Sequence, residues 1–138
     1  MSPGTALAKL GFEVLAGTEG ACVAIDAHLM KELEEIDPKK LARLIRIMEL
    51  WCLGQQLSGE QFNGNEGRAR RGDLNVMLQA FKTHKVRLFG FVMSIDLKRT
   101  FLIVDLDPAK KQNKADPKIL KRAHGRALDW TEKAGELK

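Results

Sequence analysis

The chain has 138 residues, 44% apolar and 30% charged, the profile of one soluble domain with a proper core rather than a disordered chain. No run of eighteen uncharged apolar residues exists to span a bilayer, and MSPGTALAKLGFEVL lacks a basic leader, so a cytoplasmic protein is expected. The net charge of +5 is uneven: Arg68 to Arg126 holds 15 Lys and Arg against five Asp and Glu, an excess of +10, and the rest carries −5. Such a basic half suits a phosphate-bearing partner on one face.

Residues 1–11 are small and contain Gly and Pro, which predicts a flexible lead-in to a single domain over 12–138. FEVLAG and ACVAIDAHL read as one or two strands around the turn Gly17-Thr18-Glu19-Gly20. Asp26 can cap a helix starting near Ala27, with Leu29, Met30, Leu33 and Ile36 at helical spacing. Asp37-Pro38 signals a second helix start. In PKKLARLIRIMELWCLGQQL one face carries Leu41, Leu44, Ile45, Met48, Trp51 and Cys52, and the other Lys39, Lys40, Arg43 and Arg46. The two helices should fold back as a hairpin.

SGEQFNGNEGRARRGD reads as a long exposed loop. LNVMLQAFK, VRLFGFVMS and RTFLIVDLD then form an antiparallel meander, turning at Thr83-His84-Lys85 and Asp96-Leu97-Lys98. A last helix runs from Pro117 to about Ala134, capped by Asp116. The fold class is therefore α+β: a small, twisted, mainly antiparallel sheet packed on one side by an N-terminal helix hairpin and a C-terminal helix.

Several chemistries find no footing. Cys22 and Cys52 lack metal-ligand spacing and read as buried free thiols, so no metal or other cofactor is implied. GNEG and GQQLSG lack the strand and lysine of a phosphate cradle, and no serine sits in a GxSxG setting. Asp105 and Asp107 share a strand face, but basic surroundings would keep both ionised instead of splitting their roles.

Cations remain. Alternation in VRLFGFV puts Arg87, Phe89 and Phe91 on one face. Such an arginine either snorkels out at the sheet edge or sits beside aromatic rings in a concave site, where a guanidinium grips phosphate and rings stack bases. Lys110 and Lys111 follow the last strand and, if that strand neighbours VRLFGFV, can converge with Arg87. Lys82 and Lys85 flank the first turn, and Lys114, Lys118, Lys121, Arg122 and Arg126 continue the charge. His84 and His124 are the groups in this half poised to titrate near neutral pH. Attack by a ribose 2′-hydroxyl needs proton transfer and cations around a pentavalent phosphate. His84 suits the former, with Arg87, Lys110 and Lys111 for the latter; the chain has no tyrosine.

VRLFGFVMS, TFLIVDLDPAKKQNKADPKIL and KRAHGRALDW resemble the RelE/ParE superfamily of bacterial toxins, above all its HigB-like, phage-associated branch. The resemblance rests on the R-[LV]-[FY] strand, the apolar strand before a KK pair, and a helix with A-x-x-R at Ala123 to Arg126. It implies a RelE-like fold and the toxin of a type II toxin–antitoxin system: a metal-independent mRNA endonuclease acting on the ribosome and restrained by a cognate antitoxin. By position Arg87 matches the arginine that contacts the scissile phosphate, and Lys110 and Lys111 the basic pair. Asn75 and Met77 stand where these enzymes often have lysines, and no tyrosine matches the late hydroxyl. The alternative is a non-catalytic member that binds a protein, as in ParE-like gyrase inhibition, or RNA.

Overall fold

Two almost wholly buried strands fix the centre of the sheet in this computed structural model, which describes residues 3–108 and 116–136. All six residues of β2 (Ala21–Asp26) are buried, as are Thr100 to Asp107 of β8 (Lys98–Asp107). They run parallel, with Ala24 opposite Leu102, and strands buried on both faces need apolar runs rather than alternation. β1 (Phe12–Gly17) flanks β2. On the other side β8 pairs with β7 (Val86–Ile95), β7 with β6 (Gln79–Thr83), and β6 with the short β3 (Phe62–Asn63). The resulting order is β1-β2-β8-β7-β6-β3, antiparallel except for β2 and β8.

Helices cover both faces, not one. α3 (Pro38–Cys52) lays Leu44, Ile47, Met48 and Trp51 against Val23, Ile25, Phe81, Leu88 and Phe101. Its start follows the predicted signal: Pro38 opens the first turn and Asp37 Oδ2 accepts from the Lys40 N–H at 3.2 Å. At its other end Arg99 donates to the Trp51 carbonyl at 2.8 Å and lies 3.8 Å over the indole, placing a cation at the negative helix terminus. Phe81 and Phe101, with ring centroids 4.5 Å apart, meet Trp51 and Phe62 in one aromatic cluster. The opposite face receives α1 (Pro3–Leu10) through Leu7 and Leu10, and α4 (Pro117–Glu136) through Ala123, Ala127 and Leu128.

Four expectations need correction. The supposed lead-in contains α1, held because Leu7 and Leu10 bury fully enough to join the core; burial of this kind contributes about 1.5–3 kcal/mol per side chain. The first helix of the expected hairpin is only a 3₁₀ turn, Ala27–Leu29, and the five-residue α2 (Met30–Glu34). The supposed 58–73 loop includes β3 and β4 (Arg68–Arg71). LNVMLQAFK is two strands: β5 (Leu74–Met77) pairs with β4 as a separate ribbon, and the chain breaks at Leu78 before β6. The ribbon tucks Ala69 and Val76 onto the α4-side core, which outweighs continuation of one long strand.

Both cysteines are free and buried; burial raises the Cys22 thiol and pushes that of Cys52 up to about 11. No described helix is long and apolar enough to cross a membrane. The β7–β8 turn puts two ordinary residues in the left-handed region, Asp96 at φ 49° and Leu97 at φ 67°, with Leu97 99% exposed. A side chain there clashes with its own backbone and gains no packing in return. Leu97→Gly is therefore expected to raise stability by about 0.5–1 kcal/mol. An unchanged or lower melting temperature would show the turn to be unstrained.

Candidate nucleic-acid interface

The α4-side face of the sheet turns from apolar to polar near the end of β8. Lys82, Arg87 and Asp107 stand side by side across three strands, because Lys82 pairs with Arg87 and Arg87 with Asp107. Arg87 is only 4% exposed. Its Nη1 donates to Glu66 Oε1 at 2.5 Å, and Glu66 is buried as well, at 7% exposure. A buried guanidinium requires such a partner, because an unpaired charge in the interior is far costlier than a paired one.

Glu66 reaches Arg87 because its loop is folded by its own asparagines. Asn63 Oδ1 accepts from the Asn65 N–H and Asn65 Oδ1 from the Gly67 N–H, at 3.0 and 2.9 Å. The Glu66 N–H donates to the Leu78 carbonyl at 2.7 Å and the Leu78 N–H to the Gly67 carbonyl at 2.9 Å. Asn63 Nδ2 donates to the same Glu66 carboxylate. Gly67 sits at φ +99°, and a Cβ there would lie 3.0 Å from His124 Cε1, so both backbone and space call for glycine.

From α4, His124 Nε2 meets the Glu66 carbonyl at 3.0 Å; facing a carbonyl, that nitrogen carries the proton. Two residues earlier Arg122 clasps the fully buried Asp105 through two 2.7 Å bonds, Nε to Oδ2 and Nη2 to Oδ1, and about one turn on from it Arg126 Nη1 adds a third contact at 3.1 Å. The Asp105 bonds raise the Arg122 pKa above its ordinary value. Paired bonds of this kind are the strong form of carboxylate recognition.

The cluster thus unites Lys82, Arg87, Arg122, His124 and Arg126 from the predicted set, yet much of its charge is answered internally by Glu66 and Asp105. His84, Lys85, Lys118 and Lys121 are exposed. The Arg87–Asp107 pairing puts the β6–β7 turn, with His84 and Lys85, toward the Asp107 end of β8, and α4 runs from His124 at Glu66, beside Arg87, to Asp129 at Arg71, so its start with Lys118 and Lys121 lies toward the same end. Lys110, Lys111 and Lys114 lie outside the described residues, and so does their expected convergence with Arg87.

Sequence reasoning missed Glu66 and the anchoring role of Asp105. Asparagine-glycine spacing in NGNEG was the available signal for a folded loop. Nothing local to Glu66 marks its partner, which is 21 residues away. Among the described residues no group of three or more His, Cys, Asp or Glu is placed to hold a metal. Comparison with protein-family models, curated proteins and solved structures found no match.

Proposed function

We propose that this protein is a toxin of the RelE/ParE type, in which the basic end of the sheet engages mRNA for metal-independent cleavage on the ribosome and a cognate antitoxin covers that end in the cell. The observation that carries the reading is the meeting of two separate basic segments, the β6–β7 turn and the first turns of α4, at one end of the sheet. The chain order β2, α2–α3, β6, β7, β8, α4 supports a RelE-like frame with a shortened first helix. In this reading Lys82, Lys85, Lys121, Arg122 and Arg126 hold phosphates, and Lys110, Lys111 and Lys114 add to them. Arg87 would stabilise the scissile phosphate, with His84 or His124 moving the proton. The Glu66 carboxylate then occupies the place of a phosphate and must yield to it.

A second reading is favoured by that same contact. Arg87 is buried and bound to Glu66, which suits a non-catalytic protein of the same fold that binds RNA or inhibits gyrase.

Lys85, Lys118 and Lys121 are exposed, so reversing them to glutamate spares the core. Expression of the intact chain is expected to arrest growth and create new 5′ ends in cellular transcripts, and the triple reversal to remove both. Single-stranded RNA binding should lose about two units of its logarithmic salt slope in that variant. Arrest with RNA binding but no new ends selects the non-catalytic RNA reading; DNA-damage signalling with intact mRNA selects gyrase. Neither arrest nor RNA binding removes the proposal.

A further inference from the structure

β7 is ten residues long, but β6 covers only its first half. The pairing runs from Thr83 opposite Val86 to Gln79 opposite Gly90, and then β6 ends where the chain turns off at Leu78 to make β5. On its other side β7 is paired with β8 as far as Ile95. Among the described residues, therefore, Phe91 to Ile95 have one side of the ladder without a strand. Alternation from the two-residue turn at His84-Lys85 assigns the outward N–H and C=O groups to Val92 and Ser94, and both residues are exposed. An exposed ladder edge is a template for another strand.

A groove lies beside this edge. Its walls are Asn75, Val76 and Met77 of β5 and Phe91 to Met93 of β7, and its volume is about 250 Å³. That is below the roughly 300–1,000 Å³ of small-molecule sites, and it suits one or two apolar side chains. Gln79 closes one end, its Nε2 donating to the Gly64 carbonyl at 3.2 Å. Arg68 stands opposite Met77 and Arg70 opposite Asn75 on the ribbon, so two exposed cations lie one strand behind the groove wall, Arg68 with one Nη1 bond to Asn75 Oδ1 at 3.1 Å. The groove centre at Val92 is five residues along β7 from Arg87, about 17 Å by strand rise, and so is separate from the basic cluster.

We infer that this slot receives an extended segment of another protein, which adds to β7 as a strand, places an apolar side chain between Met77 and Phe91, and carries acidic residues that face Arg68 and Arg70. Open edge, side-chain pocket and charged rim are the three parts of strand addition: main-chain bonds supply affinity, and alternate side chains and charge supply selection. A second copy of this chain is a poorer occupant, because its own ribbon would bring arginines against arginines. The inference goes beyond the RNA reading and holds whether or not RNA is cut.

The probe is a fluorescein-labelled, acetylated peptide of alternating glutamate and leucine, eight residues long, titrated by fluorescence anisotropy onto the full chain. Binding is expected, and Met77→Asp should weaken it at least tenfold. Arg68→Glu with Arg70→Glu should weaken it about fivefold and flatten its salt dependence. Val92→Pro, which removes an outward N–H, tests the ladder; amide exchange at Val92 and Ser94, slowed by peptide on the wild-type chain, reads the same bond without a substitution. Circular dichroism of each variant separates lost binding from lost fold. The inference is overturned by any of three results: no binding at millimolar peptide, equal binding to Met77→Asp, or unaltered exchange at Val92 and Ser94. A concentration-dependent dimer that the peptide dissociates overturns the assignment to a foreign partner and gives the edge to a second copy.

Discussion

Replacing Glu66 by alanine is expected to lower stability by about 3–5 kcal/mol, as is Arg87→Ala, because each removes one side of a buried, hydrogen-bonded ion pair. Both side chains are nearly sealed from solvent, at 5% and 3% exposure for Arg87 and Glu66. The interior cannot screen what remains. Glu66 also holds Asn63 Nδ2, so its loss releases the loop that His124 braces through the Glu66 carbonyl. The two single changes should not add. In Glu66→Ala/Arg87→Ala neither charge remains, and the double variant should lose at least about 2 kcal/mol less than the sum of the singles. Urea unfolding of the four proteins measures this coupling, and strict additivity would show that the two groups ignore each other. The result bears directly on function. Any loss of RNA cleavage in Arg87→Ala would combine lost folding with lost chemistry, whereas the double variant, if folded, lacks the guanidinium without leaving the Glu66 carboxylate buried opposite it.

How far the sequence could be read depends on the range of the forces involved. The start of α3 was legible because Asp37 and Pro38 act within one turn, and the start of α4 because Asp116 Oδ1 accepts from the Lys118 N–H two residues on. The strands VRLFGFVMS and RTFLIVDLD were legible because strands buried over most of their length leave long apolar runs, and the two hairpin turns between 83 and 98 lie where the turn residues put them. The mixed character of the sheet was not legible: β2 finds its parallel partner about 78 residues later, at Arg99 opposite Ala21, and no local pattern encodes that distance. The same limit hid α1, whose Gly and Pro suggest a loose end although Leu7 and Leu10 bury it. In the site, charge pattern picked out Arg87, Arg122, His124 and Arg126 as candidates without fixing how they meet; Arg87 and His124 both reach Glu66, and Arg122 and Arg126 both reach Asp105. It also mistook their state. Arg87, Arg122 and Arg126 are answered by Glu66 and Asp105, and an acid buried beneath a basic surface contributes little to a charge count although it decides which cations are free to meet a ligand.

The other large effect is expected at a position that carries no functional group. Gly90 lies in β7 opposite Ile103, next to the irregularity that leaves Val104 unpaired between Asp105 and Ile103. A Cβ built there would stand 2.2 Å from the Leu102 carbonyl oxygen and 2.4 Å from Phe101 Cε1, both well inside contact distance. Its φ lies outside the left-handed region, so the demand is for space and not for backbone freedom. Neither obstacle can retreat. Leu102 belongs to the buried strand between β2 and β7, and Phe101 is fixed by Phe81 at 4.5 Å and Trp51 at 5.8 Å. Gly90→Ala should therefore prise β7 from β8 and cost about 3 kcal/mol or more, lowering the melting temperature by roughly 10 °C for a domain of this size. Gly125→Ala is the matched control: nothing lies within 4 Å of its new methyl group, and alanine in the middle of α4 should add about 0.5–1 kcal/mol. Because β7 carries Arg87 toward Asp107 at one end and the open Val92–Ser94 edge at the other, Gly90→Ala should also disturb both surfaces, seen as faster amide exchange along Arg87 to Ser94. A melting temperature within 2 °C of wild type would mean that β7 and β8 do not meet in the register described.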